Sequence, residues 1–222
     1  MSNLIDLSDR IFVAGHNGMV GRAIVRRLKK SGYGNKDTGS ILTVSREEVD
    51  LRNQQAVNKW MISNKPDIVI LAAAKVGGIY ANYNFPADFI LDNLKIQTNI
   101  IEASWKSAVR RLCFLGSSCI YPKFADQPIK EESLLSGELE STNEPYAIAK
   151  IAGIKLIEAL RLQYNFDGFS LMPTNLYGPG DNYHPKNSHV MAAFIRRFLK
   201  AVDDSSSHVT CWGSGSPRRE FL

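Results

Sequence analysis

Short apolar runs alternate with amphipathic segments along most of this chain. Compact apolar runs bounded by turn residues predict strands, whereas apolar residues spaced three or four apart predict helices. The predicted strands cover 11–14, 41–44, 67–72, 111–115 and 169–172, and the predicted helices cover 19–30, 54–63, 86–107, 145–164 and 190–202. Strands that alternate with helices in this way indicate an α/β fold, a doubly wound parallel sheet with helices on both faces.

The pattern changes after Pro173. Turn-forming residues dominate 176–185, and a helix and a short strand over 209–212 follow. We therefore expect one domain over 1–175 and the beginning of a smaller lobe over 176–222. The chain ends at Leu222 in what reads as the opening of another strand, so the sequence predicts that the rest of this lobe is missing.

Composition excludes several classes of protein. The chain has 222 residues, 44% apolar and 22% charged, with a net charge of +5, which suits an anionic ligand but is too weak and scattered for nucleic acid. Three cysteines without a C-x-x-C pair argue against a disulfide framework or a metal site and favour a reducing compartment. The longest apolar run, 68–74, is too short to span a bilayer, and the sequence reads as cytoplasmic.

Glycines recur at three-residue spacing between the first strand and the first helix. Gly15 would permit a tight turn, Gly18 would let the backbone approach a pyrophosphate, and Gly21 would let the helix pack closely on the strand. The phosphate would then lie over the helix N-terminus. This spacing is the variant of short-chain dehydrogenases, and it predicts a Rossmann-like dinucleotide-binding domain over 1–175.

The end of the second strand indicates which dinucleotide binds. An NAD enzyme usually offers a carboxylate there to the ribose 2′-hydroxyl, whereas this chain has Arg46. Because a guanidinium can pair with a 2′-phosphate, Arg46 favours NADP, although it could also be an ordinary surface arginine. Asp50 and Leu51 lie where the adenine is expected to rest.

Tyr146 and Lys150 lie four residues apart on one predicted helix face, and Ser117 and Ser118 follow the fourth strand at its carboxyl end. Reduction of a carbonyl needs an acid that protonates the nascent alkoxide, and a phenol needs a nearby cation to do this well. Tyr146 is therefore the candidate acid, Lys150 its cation, and Ser117 a hydrogen-bond partner of the substrate oxygen.

Six runs carry a resemblance to a known family. They are GHNGMVG (15–21), LAAAKVGG (71–78), LGSSCIYP (115–122), NEPYAIAKIAG (143–153), PTNLYGP (173–179) and WGSG (212–215). Together they resemble the GDP-L-fucose synthase family of extended short-chain dehydrogenases/reductases, from Arg10 to Leu222. The resemblance implies 3,5-epimerisation of GDP-4-keto-6-deoxy-D-mannose, followed by reduction of the C4 ketone with NADPH to GDP-L-fucose.

The resemblance also implies roles for further residues. Cys119 and His189 would be the pair that moves protons at C3 and C5, with the thiol activated by nearby positive charge. Arg197, Trp212 and Arg219 would bind the nucleotide-sugar. The residues implied to contact the cofactor are Gly15, His16, Asn17, Gly18, Met19, Val20, Gly21, Arg46, Asp50, Leu51, Leu115, Gly116, Ser117, Ser118, Lys150, Pro173, Thr174, Asn175, Leu176 and His189.

One departure from the family pattern concerns Asn17. Bacterial members often carry arginine there as a second contact to the 2′-phosphate, so Asn17 predicts a weaker preference for NADP. The superfamily also implies a homodimer in which helices 86–107 and 145–164 form a four-helix bundle.

Other functions share parts of this pattern. A nucleotide-sugar 4-epimerase or 4,6-dehydratase would keep the serine, tyrosine and lysine, but Cys119 and His189 argue against it. A dinucleotide-binding regulator would lack Tyr146 and Lys150, and an inert dinucleotide-binding fragment remains open. Cys113 and Cys211 alternate with apolar residues, which predicts that both lie in the core.

Overall fold

A computed structural model describes residues 4–35, 38–185, 187–211, 213–216 and 218–222. Its strands and helices, in chain order, are β1 (Arg10–Ala14), α1 (Met19–Lys30), β2 (Ser40–Leu42), α2 (Gln54–Asn64), β3 (Ile68–Leu71), α3 (Ile79–Asn84), α4 (Pro86–Lys106), β4 (Arg111–Leu115), α5 (Glu144–Tyr164), β5 (Gly168–Leu171) and α6 (Val190–Asp203). Short 3₁₀ turns cover Ser118–Ile120 and Glu131–Ser133.

The five strands form one parallel sheet in the order β2-β1-β3-β4-β5. The chain leaves β1 for β2 on one side and returns to β3 on the other, so the strand order reverses between β1 and β3. In doubly wound sheets a crevice opens at this reversal, outside the carboxyl ends of the strands, and ligands bind there. The topology therefore places a candidate site above the ends of β1 and β3.

Two apolar layers cover opposite faces of the sheet. The larger layer packs α2, α4 and α5 against alternate residues of the central strands, with Phe12, Leu71 and Phe114 fully or almost fully buried. The smaller layer packs α1 onto the other face, where Ile11 and Val13 are buried. This alternation follows from the period-two geometry of a strand, which points successive side chains to opposite faces.

The five strands and five helices predicted from residue pattern are confirmed, with end shifts of up to two residues. The pattern did not predict α3, a helix of only six residues. The strand predicted over 209–212 is wrong for 209–211, which have no regular structure, and Trp212 lies outside the described residues. Phe221 instead forms an isolated parallel bridge with Asn175.

The two cysteines predicted to be core residues behave differently. Cys113 lies half-buried on β4, and burial raises the pKa of its thiol to about 11. The prediction for Cys211 is wrong, because this residue is exposed on an irregular segment.

Among the described residues, no helix is long and apolar enough to cross a membrane. The same residues contain no group of three or more side chains that could hold a metal ion. The division of the chain at residue 175 stays a prediction.

Candidate active site

The first glycine turn joins β1 to α1. Gly15 has a φ of +89°, and a Cβ there would lie 2.6 Å from the backbone nitrogen of Ala73. A Cβ on Gly21 would lie 2.1 Å from the carbonyl oxygen of Gly15. Only glycine fits these two positions, because the turn lies against the end of β3 and the first turn of α1 lies against Gly15.

Gly18 is less closely packed. The nearest atom to a Cβ there would be the Gly15 carbonyl oxygen, at 3.5 Å. Gly18 is the N-cap of α1 and offers no side chain to the free N–H groups of the first turn. Free N–H groups at a helix N-terminus, beside an exposed glycine, can hold a phosphate. His16 and Asn17 complete the turn, and Met19 and Val20 begin α1.

A compact set of charges follows β2. Arg46 is exposed, and its charge helps to lower the pKa of Asp50. The main cause is Arg52, whose Nη2 lies 2.7 Å from Oδ2 of Asp50 and holds the pKa of that carboxyl at about 2. Arg52 also bonds Asp92 of α4 at 3.1 Å. The neighbouring Leu51 accepts a hydrogen bond through its carbonyl from Asn99, at 2.9 Å.

Ser117, Tyr146 and Lys150 meet where β4 ends. The Ser117 hydroxyl lies within hydrogen-bonding reach of the Tyr146 phenol and acts to lower its pKa. Lys150 follows Tyr146 by one turn of α5, and its Nζ lies 5.7 Å from the Tyr146 ring centroid. Lys150 also donates from Nζ to the carbonyl oxygen of Leu115 at 2.6 Å, which fixes the ammonium beside the strand end. The sequence placed these three side chains together, and the structure confirms this.

Burial governs the protonation of this cluster. It raises the pKa of Tyr146 above its ordinary value, and the Ser117 hydroxyl opposes that rise. It also lowers the pKa of Lys150 to about 8. From the sequence, Lys150 is expected to favour phenolate, but burial dominates and holds the phenol protonated.

Cys119 belongs to the same cluster. Its backbone N–H donates to the Ser117 hydroxyl at 3.4 Å, and the same hydroxyl acts to lower the pKa of the thiol. The charge of Lys150 lowers the pKa of the thiol, as expected, but burial outweighs it and the pKa is raised overall. The activated thiol at Cys119 therefore stays a prediction.

The loops after β4 and β5 are joined by backbone hydrogen bonds. Gly116 donates to Leu171 at 2.8 Å, and Ser118 donates to Pro173 at 3.1 Å. Thr174 Oγ1 and Asn175 Nδ2 both donate to the carbonyl oxygen of Glu220, at 2.9 Å each. Leu115, Ser117 and Leu176 are half-buried. These contacts hold the two segments side by side at the carboxyl edge of the sheet.

His189 lies on a different element from the cluster. It is the exposed N-cap residue of α6, and its side chain does not cap that helix. Within the described residues, no hydrogen bond joins the His189 side chain to Cys119, so their proposed pairing is not tested by this geometry. The segment just before His189 contacts the loop after β3, because Gly78 N–H donates to the Asn187 carbonyl oxygen at 3.1 Å.

The residues expected to bind the nucleotide-sugar lie near the C-terminal end of the chain. Arg197 is half-buried on α6, and its Nη1 lies 3.5 Å from the carbonyl oxygen of Thr210. Arg219 is exposed, and its Nη1 donates to the Arg218 carbonyl oxygen at 2.8 Å. Trp212 lies outside the described residues.

Sequence reasoning missed two aromatic residues that contact the cluster. The Phe114 ring centroid lies 4.7 Å from Nζ of Lys150, and the Phe89 ring meets the Tyr146 ring edge-on at 6.3 Å. Both residues fit an ordinary apolar periodicity, so only their proximity to Tyr146 and Lys150 in three dimensions reveals them.

Relatives with the same motifs are known. "Probable GDP-L-fucose synthase 1" of Oryza sativa subsp. japonica is 56% identical over all of this chain, which covers 66% of that protein. "GDP-L-fucose synthase" of Escherichia coli is 55% identical over 96% of this chain and is covered to 65%. This chain therefore spans slightly less than two thirds of the length of these curated relatives.

A solved structure supports the same relationship. The GDP-L-fucose synthetase of Naegleria fowleri bound to NADP matches with a TM-score of 0.86 and 30% identity, over 98% of this chain and 70% of that one. The sequence model of the NAD dependent epimerase/dehydratase family matches residues 11–222. With the glycine turn, the parallel sheet and the Ser117–Tyr146–Lys150 cluster in place, this chain belongs to the NAD dependent epimerase/dehydratase family.

Proposed function

We propose that this chain acts as a GDP-L-fucose synthase. It would epimerise GDP-4-keto-6-deoxy-D-mannose at C3 and C5 and reduce the C4 ketone with NADPH. The observation that carries the proposal is the contact of Ser117 with both Tyr146 and Cys119, next to the buried Lys150. This arrangement joins a reductase acid to a second group capable of proton transfer, and the names of the relatives agree with it.

The first glycine turn fits a dinucleotide. Gly18 leaves room for a phosphate at the N-terminus of α1, whereas Gly15 and Gly21 are packed against backbone. Arg46 would pair with the 2′-phosphate of NADP, and Asp50 and Leu51 would border the adenine. The structure of the Naegleria fowleri relative, which has NADP bound, supports this choice of cofactor.

The reduction step uses three residues of the cluster. The bound cofactor supplies a hydride to C4 of the sugar. Ser117 would hold the C4 oxygen, and Tyr146 would donate its proton to that oxygen as negative charge develops. Because burial holds the phenol protonated, the proton is available at neutral pH. The ammonium of Lys150 would stabilise the phenolate that remains.

The epimerisation step uses protons that lie alpha to the ketone. Removal of a proton from C3 or C5 gives an enolate, which Ser117 would stabilise through the C4 oxygen. Cys119 would act on one face of the sugar and His189 on the other, one as base and one as acid. Burial raises the pKa of Cys119, so the thiol is mostly protonated near neutral pH. In that state Cys119 suits the role of proton donor.

The protein would hold the nucleotide-sugar by its diphosphate and by one of its rings. Arg197 and Arg219 would bind the diphosphate, and Trp212 would pack against a ring. The position of Arg197 beside Thr210 supports a common role for α6 and the segment that contains Trp212.

A homodimer is proposed through α4 and α5. These two long helices pack against each other, and each exposes apolar side chains, including Leu91 of α4 and Ile148 and Leu162 of α5. Two copies of such a pair can bury these side chains in a four-helix bundle. Light scattering at micromolar concentration tests this proposal, and a dimer that Leu162→Lys disrupts would support it.

A cytoplasmic location is also proposed. All three cysteines are free thiols, including the exposed Cys211, which suits a reducing compartment. A fluorescent fusion of the chain, imaged in cells, tests the location.

The activity has a direct test. The protein is incubated with GDP-4-keto-6-deoxy-D-mannose and NADPH, the loss of absorbance from NADPH is followed, and the product is identified by mass spectrometry and NMR. Formation of GDP-L-fucose supports the proposal. Oxidation of NADPH that yields only an unepimerised sugar would restrict the chain to reduction, and no turnover would reject it.

A further inference from the structure

The loop between β3 and α3 contacts two segments that carry different parts of the proposed chemistry. Gly77 and Gly78 lie in this loop, just before α3 begins at Ile79. On one side Gly78 meets the segment that leads into His189, and on the other side Gly77 meets the ring of Phe89, which lies against Tyr146. This glycine pair therefore lies between the histidine segment and the tyrosine.

The contact with the histidine segment requires glycine. Gly78 N–H donates to the Asn187 carbonyl oxygen at 3.1 Å, and a Cβ on Gly78 would lie 2.5 Å from the carbonyl oxygen of Ser188. The backbone of Gly78 has φ −68° and ψ 179°, which any residue adopts. Glycine is needed here for close approach and not for backbone conformation, so a larger residue would push the 187–189 segment away.

The contact with Phe89 is similarly close. A Cβ on Gly77 would lie 2.9 Å from Cβ of Ala81 and 3.1 Å from Cζ of Phe89. The Phe89 ring is 2% exposed in relative terms and lies edge-on to the Tyr146 ring, with centroids 6.3 Å apart. Gly78 thus packs against the residue before His189, and Gly77 packs against the ring that lies edge-on to Tyr146.

Two buried asparagines hold the loop in place. Asn82 donates from Nδ2 to the carbonyl oxygens of Gly77 and Gly78, at 2.9 and 3.1 Å. Asn93 of α4 accepts from Lys75 N–H at 2.8 Å and donates to the Lys75 carbonyl oxygen at 2.9 Å. These bonds fix the loop to α3 and α4, so the surface that Gly78 offers to Asn187 and Ser188 is rigidly supported.

We propose that Gly78 is a positioning residue for His189. Because Gly78 has no Cβ, its backbone can pack directly against segment 187–189 and hold it beside the Phe89–Tyr146 pair; this packing surface is called the Gly78 seat. The proposal rests on the function proposed above, in which His189 moves a proton during epimerisation. A displacement of this seat would move His189 relative to the sugar, whereas Tyr146, on α5, would keep its contact with Ser117. Gly78 therefore affects the rate of epimerisation relative to the rate of reduction.

The test compares two rates in the Gly78→Ala variant. Solvent deuterium incorporation at C3 and C5 reports epimerisation, and NADPH oxidation reports reduction. Since a misplacement of about 1 Å can cost about 10²-fold in rate, we expect the ratio of exchange to hydride transfer to fall by about tenfold to a hundredfold. The product should shift toward an unepimerised deoxy sugar. Loss of folded protein lowers both rates together and leaves this ratio unchanged.

Two further variants test this explanation, one as a control that should keep the ratio and one as a second way to lower it. Gly137→Ala adds a methyl group at a glycine that does not have a positive φ, where the added Cβ would meet only Pro122 within 4 Å among the described residues, so the ratio should stay at the wild-type value. Asn82→Ala removes the bonds to Gly77 and Gly78 without adding atoms at the seat, and the ratio should fall as in Gly78→Ala. A folded Gly78→Ala variant with a wild-type ratio would overturn the proposal.

A structural readout separates this proposal from the proposed function. The chain has four histidines, so proton NMR can follow each ring without substrate. Gly78→Ala should shift the His189 ring signals and leave those of His16 and His208 in place, and the Gly78 amide should be protected from hydrogen exchange in the wild type. If the wild type has no activity, these signals still show whether Gly78 positions His189. An unprotected Gly78 amide, or unshifted His189 signals, would reject it.

Discussion

The ring of Phe114 lies 4.7 Å from the Lys150 ammonium nitrogen, measured to the ring centroid. Lys150 is 3% exposed, and besides this ring its Nζ contacts the Leu115 carbonyl oxygen. A cation over an aromatic face and a hydrogen bond to a carbonyl both favour the charged form. Burial nevertheless dominates and lowers the pKa of Lys150 to about 8. The charged form of Lys150 is therefore less favourable in the folded protein than in water.

This burial predicts how stability depends on pH. The pKa of Lys150 is lowered from 10.5 to about 8, so between these values the unfolded chain binds more protons than the folded one. The contribution of Lys150 is therefore most unfavourable below about pH 8 and is relieved as the pH rises to 10.5. Lys150→Met should raise the free energy of unfolding by about 2–4 kcal/mol at pH 7, at 1.36 kcal/mol per pKa unit.

Urea unfolding of both proteins at pH 7 and pH 10 checks this prediction. The quantity to compare is the difference in unfolding free energy between Lys150→Met and the wild type at each pH. Both proteins contain Cys113, Cys119 and Tyr146, whose raised pKa values make the folded state less stable above about pH 9. The stability gain of Lys150→Met should shrink as the pH rises. A gain that is equal at both pH values would mean that the ammonium is not penalised by the fold.

The first glycine turn predicts opposite outcomes for two alanine substitutions. Gly21→Ala would place a methyl group 2.1 Å from the Gly15 carbonyl oxygen, so it should cost about 3 kcal/mol of stability or more. Gly18→Ala meets no atom closer than 3.5 Å and should change stability by less than about 1 kcal/mol. Gly18→Ala should instead weaken NADPH binding by about tenfold, because the methyl group occupies the space left for the phosphate.

Thermal unfolding and fluorescence titration with NADPH separate these two effects. Equal losses of stability in the two variants would contradict the difference in packing between Gly18 and Gly21.

Arg46 predicts the choice between NADPH and NADH. If its guanidinium pairs with the 2′-phosphate, Arg46→Ala should weaken NADPH binding by roughly 1.5–3 kcal/mol, as expected for loss of one charged hydrogen bond. Binding of NADH should hardly change, since NADH lacks that phosphate. Titration of both cofactors against both proteins provides the measurement, and equal or tighter binding of NADH by the wild type would defeat the argument.

The sequence predicted the sheet and its long helices because their residues follow a regular period. Strands such as β4 (Arg111–Leu115) carry compact apolar runs, and α5 (Glu144–Tyr164) carries a helical repeat. The short helix α3 was not predicted, because its six residues span less than two helical turns and show no clear repeat. Cys211 was misassigned because alternation over four residues also occurs in exposed, irregular segments.

The site was predictable where a motif fixes both residue type and spacing. Ser117, Tyr146 and Lys150 come together as expected, because a strand end and one helix face determine their positions. The pKa directions were not predictable, because they depend on burial, which a motif does not reveal. Phe114 and the seat formed by Gly78 depend on contacts between distant parts of the chain, and local pattern carries no signal for such contacts.

The proposed division of roles predicts that the two chemical steps fail independently. Tyr146→Phe removes the proton donor to the C4 oxygen, so NADPH oxidation should fall by about 10²–10⁴-fold, the usual contribution of a general acid. Exchange of substrate hydrogens with solvent deuterium should continue, because Cys119 and His189 act at C3 and C5. Mass spectrometry of the substrate and absorbance of NADPH measure the two steps in one reaction.

Cys119→Ser should give the reverse result. A hydroxyl exchanges protons with carbon far less readily than a thiol, because its pKa is several units higher, so deuterium incorporation should fall sharply. Hydride transfer to the unepimerised ketone should persist and give a different deoxy sugar, since Ser117, Tyr146 and Lys150 remain in contact. Cys113→Ser is a matched control, because it makes the same sulfur-to-oxygen change on β4, outside the site, and leaves the Cys119 thiol in place. Exchange at the wild-type rate in Cys119→Ser would remove Cys119 from the epimerisation step.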